Sequence, residues 1–156
     1  MKKKDVVLLS HLRRNSRVPL TALSRRTGFP VSTIFDKLSK YASSGLVPKH
    51  TSLLSFQKLG FATNAHIMLK VDKHKKGELV DFLAKHHATN NLFKINNGWD
   101  VLHECVFSDM CALEEFVEML ELNYGVIEKN ISYVLEEVRR EAFLSDHGGV
   151  VLNDKL

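Results

Sequence analysis

The sequence predicts an α+β chain: an N-terminal winged helix-turn-helix followed by a C-terminal ferredoxin-like βαββαβ domain. Two observations predict it. The charges are segregated, with 12 Lys+Arg against 2 Asp+Glu in residues 1–60, a balance of +10, and 10 against 16 in residues 61–156, a balance of −6. The hydrophobic spacing also divides there, being helical in short pieces before residue 60 and alternating between strand and helix after it. The expected organisation is therefore a DNA-binding domain over 1–60, a ferredoxin-like domain over 61–140 and a C-terminal tail over 141–156.

Within the basic half, Asp5 to Arg14 reads as a first helix, with Leu8, Leu9 and Leu12 on one face. A second runs from about Leu20 to Thr27 and buries Leu20 and Leu23. Gly28 then stops it and turns the chain. Pro30 stands near the first position of a third helix, where a missing N–H costs nothing. That helix carries Ile34, Leu38 and Tyr41 inward and ends before Gly45. Three short helices with a glycine turn before the third describe a helix-turn-helix. Leu46-Val47 and Ser52 to Phe56, flanking Pro48-Lys49-His50, are expected to pair as the two strands of a wing.

With Ile34, Leu38 and Tyr41 inside, the third helix turns Ser32, Asp36, Ser39 and Lys40 outward, with Thr33, Phe35 and Lys37 on the flanks. Short hydroxyls and a long cation suit a helix in the major groove, where Ser and Thr reach bases or phosphates and Asp36 accepts from a cytosine amine or orients a neighbouring Arg or Lys. Phe35 fits either a thymine methyl or, more often for such a ring, a neighbouring helix. Arg13, Arg14, Arg17, Arg25 and Arg26 read together as phosphate contacts, because neutralising phosphates releases counterions. The expected DNA-binding set is Arg17, Ser32, Thr33, Asp36, Lys37, Lys40 and, at the wing tip, Lys49.

The residues Asp5, Leu8-Leu9, Leu12, Asn15-Ser16-Arg17-Val18, Leu23, Thr27-Gly28-Phe29, Ser32-Thr33-Ile34, Lys37-Leu38, Gly45-Leu46-Val47 and Lys58-Leu59-Gly60 resemble, without a gap, the DNA-binding half of the Lrp/AsnC (feast/famine) regulators. Three positions depart from that pattern. Pro30 stands where the family usually has a Ser cap, Lys37 replaces an Arg and Ala42 replaces a Glu. Lys keeps the charge of Arg but not its bidentate geometry.

In the acidic half, Ala65 to Val71 is strand-like, and Lys75 to His87 is an amphipathic helix burying Leu79, Phe82 and Leu83. Leu92 to Ile95 and Val101 to Phe107 are strands joined by Asn96-Asn97-Gly98-Trp99, residues that tolerate positive φ. Asp109 caps a second helix, and a last strand is expected from about Asn130 to Glu136. This βαββαβ order leaves one sheet face without a helix, and a second copy of the chain is the economical cover. Asn97-Gly98-Trp99-Asp100, Tyr124-Gly125-Val126 and Tyr133 to Val138 also resemble the family's C-terminal domain. The resemblance implies a homodimer, with tetramers or octamers built from it. It also implies an amino-acid or similar effector between dimers, lined by Asn97, Gly98 and Asp100, with Asp100 holding the α-amino group.

Other chemistry is sparsely supported. No apolar run reaches the ~18 residues that span a membrane, and Val6 to Leu9 is too short for a secretory leader, so a cytoplasmic protein is expected. Cys105 and Cys111 read as free thiols. His86 and His87 are expected on different sides of their helix, while His103 and Cys105 share a strand face at a spacing for two metal ligands. A third and fourth ligand are not evident, and neither metal nor cofactor is expected. No nucleophile–base pair, phosphate loop or paired carboxylate appears, so no catalytic residue is expected. The alternative is an enzyme resembling sirohaem decarboxylases, which share both domains and use His and Arg in a C-terminal cleft. His103 would then be the residue to recruit, although such an enzyme has no need of a +10 half.

Overall fold

The computed structural model describes residues 2–145, so residues 146–156 of the expected tail lie outside the described residues. The chain forms two units, one from residues up to Leu53 together with those from Val138 onward, the other from Leu54 to Glu137.

The first unit holds α1 (Lys3–Arg14), α2 (Leu20–Thr27) and α3 (Val31–Ser43). Leu8, Leu9, Leu23, Ile34 and Tyr41 form its core, with Leu12, Leu20, Phe29 and Leu38 packed around them. Gly28 ends α2 at φ +70°, a left-handed conformation that costs a side-chain-bearing residue energy. The turn is closed by side chains: Thr27 Oγ1 donates to the Leu23 carbonyl (2.8 Å), and Ser24 Oγ donates to that of Phe29 (2.6 Å). Chain from beyond the sheet returns to this unit. Leu144 packs on the helical core, Arg13 Nε donates to the Phe143 carbonyl (3.2 Å), and the Arg13 guanidinium pairs with Glu141.

The expected wing is corrected. Neither Leu46-Val47 nor Ser52 to Phe56 is a strand, and the ladder of a hairpin is absent among the described residues. The reason lies at the end of α3, where the Val47 N–H donates back to the Tyr41 carbonyl (3.1 Å) and the Val47 side chain packs on the core. That N–H closes a helix instead of opening a strand. Pro48, next in line, has none to give. Further on, Phe56 accepts from Leu59 and Phe61, tightening the chain into a 3-10 turn over Gln57–Leu59.

The second unit has the order β1 (Thr63–Val71), α4 (Lys76–Lys85), β2 (Thr89–Lys94), β3 (Val101–Phe107), α5 (Met110–Tyr124) and β4 (Val126–Tyr133). Its antiparallel sheet runs β2-β3-β1-β4, the split βαβ arrangement that the sequence predicts. Alternate residues of the central strands (Ala65, Ile67, Leu69, Val71; Val101, His103, Cys105, Phe107) point into a core shared with Leu79, Leu83, Leu113, Phe116, Val117 and Leu120. Asp109 caps α5 as expected, accepting from the Ala112 N–H at 2.9 Å. Three strands differ in their limits from expectation, β1 beginning at Thr63 rather than Ala65. β4 begins directly after Gly125, whose left-handed turn (φ +65°) delivers Val126 opposite Val71. β2 begins at Thr89, where Asn90 and Asn91, turn-formers by composition, instead donate to the Glu104 carboxylate (2.7 and 2.6 Å).

His103 is the one imidazole sealed in this core, with 0% of its surface exposed. Its Nε2 meets Thr89 Oγ1 at 2.8 Å, Nδ1 has no partner, and the ring lies 5.7 Å from that of Phe116. Burial, with His86 nearby, lowers its pKa to about 4. A histidine that titrates lower in the folded than in the unfolded chain supplies stability above pH ~6.5 that is lost as pH falls toward 4, because the unfolded state takes up the proton first. The unit should be less stable at pH 4 than at pH 7 by up to about 3 kcal/mol from this residue. Urea titrations followed through Trp99 are the measurement, and His103→Gln should flatten the dependence between pH 4 and 6.5. An unchanged pH profile in the variant would contradict the assignment.

Candidate nucleic-acid interface

The exposed face of α3 depends on what holds its other face. Ile34 and Tyr41 are buried, and Leu38 packs against the same core. Polar anchoring comes from Asp5, the third residue of α1. Its Oδ2 accepts from the Lys2 backbone N–H (3.1 Å), as an acidic residue near a helix start does. Its Oδ1 accepts from the Tyr41 hydroxyl (3.0 Å) and lies 2.7 Å from Lys37 Nζ. Burial alone would raise the Asp5 pKa, but the Lys37, Tyr41 and Lys2 hydrogen bonds outweigh it and hold the carboxyl below its usual range. Burial and the adjacent carboxylate together push Tyr41 up to about 12.

Lys37 pairs with Asp5 in this structure, and its ammonium sits 5.0 Å from the centre of the Phe29 ring, with 27% of the side chain exposed. The outward arc is left to Ser32, Phe35, Asp36, Ser39 and Lys40, all exposed, with Thr33 half-buried at its margin. Arg17 is exposed after α1, its backbone N–H bound to Asn15 Oδ1 (2.9 Å), and Lys49 is exposed in the irregular segment after Gly45. Pro30 stands one residue ahead of α3 as its cap, and no side chain caps that helix start. Its first N–H groups are thereby left for an external acceptor.

In the second unit, Asn97 and Gly98 turn the β2–β3 connection with φ of +64° and +90°. Asp100 grips the end of β1. Its N–H donates to the Leu69 carbonyl (2.9 Å), and its Oδ2 accepts from the Val71 N–H (3.0 Å), where the β1–β4 ladder shifts register. Oδ1 accepts from Lys76 Nζ at 2.6 Å, and this contact chiefly holds the Asp100 carboxyl below its usual range.

Histidine and cysteine placements differ from a metal or catalytic pattern. α4 ends at Lys85, so His86 and His87 follow the helix instead of standing on its two sides, and their rings lie 4.4 Å apart. His103 and Cys105 do share a strand face, but it is the core face. Burial pushes the Cys105 thiol up to about 12. No group of three or more His, Cys, Asp or Glu side chains gathers around a potential metal position among the described residues. Among those residues, too, no helix is long and apolar enough to cross a membrane.

No family model matches the chain. The HTH-type transcriptional regulator FL11 of Pyrococcus horikoshii is 25% identical over 122 residues, covering 78% of this chain and 81% of its own length. Among solved structures, the transcriptional regulator NMB0573 of Neisseria meningitidis, in complex with L-Met, is similar with a TM-score of 0.82 at 25% identity, over 90% of this chain and 93% of that one. The leucine response regulatory protein LrpA of Mycobacterium tuberculosis is similar with a TM-score of 0.78 at 16% identity, over 90% and 97%. The chain is similar, in sequence and in fold, to HTH-type transcription regulators of the Lrp/AsnC kind.

Ser32, Asp36 and Lys40 share one exposed helix face as the sequence predicts, and Lys37 on the flank pairs with Asp5. Asp5 belongs to the family-like pattern in the sequence, but its anchoring role is not legible there. The available signal was an acid among cations at the start of a helix. Lys37→Ala should leave the salt dependence of DNA binding unchanged and destabilise the helical unit by about 1–3 kcal/mol, because it strips a nearly buried carboxylate of its cation. Binding isotherms at several salt concentrations and thermal melts check both. A flattened salt slope would show that Lys37 leaves Asp5 for phosphate.

Proposed function

We propose that this regulator reads double-stranded DNA sequence-specifically through α3, as a homodimer or higher assembly that places two such helices in successive major grooves of a roughly palindromic site. The observation that carries the reading is the outward face of α3, hydroxyls and a cation on a rigidly anchored helix, within a half of net charge +10. Ser32, Thr33 and Asp36 are assigned to base edges, and Arg17, Lys40 and Lys49 to phosphate. Pairing is supported by the sheet face away from the helices, where Phe93, Leu102 and Met68 form one cross-strand row and Phe93 is exposed. The reading is of a cytoplasmic, non-enzymatic protein. His103, the residue a decarboxylase-like mechanism would use, is closed off from any substrate. Lys40→Ala should weaken binding to all sequences alike and reduce the salt slope by about one unit. Ser32→Ala should cost about 1 kcal/mol more on the selected site than on random DNA. Titrations on both DNAs at several salt concentrations measure this, and unchanged binding by both variants would remove α3 from the groove.

An amino-acid effector fits the Lys76–Asp100 ion pair. The Neisseria regulator was solved with L-Met, and a zwitterion carries the two charges needed to part this pair. Its α-amino group would take Asp100, its carboxylate Lys76, beside the exposed Asn97-Gly98 backbone. Thermal-shift screening with single amino acids should find at least one that stabilises the wild type, by mass action on the folded state, and leaves Asp100→Ala unmoved. If none stabilises the wild type at millimolar concentration, the effector assignment falls.

A further inference from the structure

We propose that Phe35 is a specificity residue, its ring packing against the 5-methyl group of a thymine in each half of the DNA site. The inference rests on the reading of α3 as the groove-bound helix. Phe35 is 60% exposed, on the same face as Ser32 and Ser39, three residues before it and four after. It belongs to neither core cluster. Phe29, the neighbouring ring of this unit, packs against the helical core under two lysines, which shows what a structural aromatic looks like here. Val31, 41% exposed, stands one turn ahead of Phe35 and lengthens the apolar strip.

The middle of the outward face therefore presents a ring between hydroxyls, and the one cation within that turn, Lys37, is held by Asp5. Of the groups displayed in the major groove, only the thymine methyl is apolar, and O4 beside it accepts a hydrogen bond that a flanking serine can donate. Charge decides between DNA and a second copy of the chain as the occupant. Arg25, Arg26 and Lys40 are exposed in the same unit, so pairing two α3 faces would bring like charges together, whereas a phosphate-lined groove attracts them.

The experiment uses the intact chain. Wild type and Phe35→Ala each select from a random duplex pool, and the wild-type site is then titrated with each thymine replaced in turn by uracil, which lacks only the methyl. Wild type should select a two-fold site in which one thymine per half, when changed to uracil, weakens binding about fourfold, the effect of one buried methyl-sized group. Phe35→Ala should bind the thymine site correspondingly less tightly and be indifferent to uracil at those positions. Neutral uracil substitutions throughout, or methyl dependence that survives in Phe35→Ala, would overturn the assignment. So would a smaller assembly of Phe35→Ala in light scattering, which would make the ring a subunit contact. Failure of the wild type to select any sequence would instead bring down the groove reading itself, and Phe35 with it.

Discussion

The carboxylate of Asp5 belongs to the first turn of α1, yet it accepts from Tyr41 and pairs with Lys37, both on α3. Apolar packing through Ile34 and Leu38 is non-directional and would tolerate some rolling of α3 about its axis. A nearly buried carboxylate with fixed donors does not, because rotation would leave its charge without partners. Asp5 thus converts a stripe of buried side chains into a defined orientation. Which residues of α3 face outward follows from that orientation, and readout at base edges needs it to be reproducible to a fraction of an ångström. Lys37 can serve as anchor because its long stem lets it reach Asp5 while its backbone stays on the flank of the helix.

A comparable device ties the second unit's loop to its sheet. Asp100 holds β1 through its own N–H and through its side chain, and Lys76 at the start of α4 closes the contact. The loop carrying Asn97 and Gly98 is therefore coupled to a strand and a helix of the core, and whatever disturbs the Lys76–Asp100 pair disturbs the end of β1. A binding event at such a point has differential contacts through which to act on the fold, which a site on a free loop would lack.

Much of this architecture could be read from side-chain spacing. The sequence predicts β3 at its observed limits because inward residues at every second position are unambiguous, and α2 likewise because Pro19 and Gly28 bracket it. The wing was misread for a physical reason: Leu46-Val47 has strand-like composition, but the Val47 N–H was claimed by the unsatisfied carbonyls of α3, a competition invisible to local propensity. β2 begins earlier than expected because Asn90 and Asn91 find an acceptor in Glu104, 14 and 13 residues away, which local composition does not show. The pairing of Lys37 with Asp5 is likewise not legible in the local sequence. Asp5 lies 32 residues back on another helix, a distance that periodicity does not sense.

What the two kinds of outward residue contribute follows from their chemistry. In the proposed reading, cations such as Lys40 and Arg17 would bind phosphate wherever it occurs and so supply affinity without sequence information. With Lys37 paired to Asp5, discrimination in that reading would fall to the uncharged or weakly donating groups at the centre of α3. Ser32 and Ser39 can each satisfy more than one base, because a hydroxyl both donates and accepts. A face of hydroxyls alone would therefore discriminate poorly. An apolar ring among them changes this, since it gains only where water is displaced by another apolar group and loses where a polar edge would be left dry. The exposure of Phe35, otherwise a liability on a soluble surface, is the feature of this helix best able to separate one base pair from the other three.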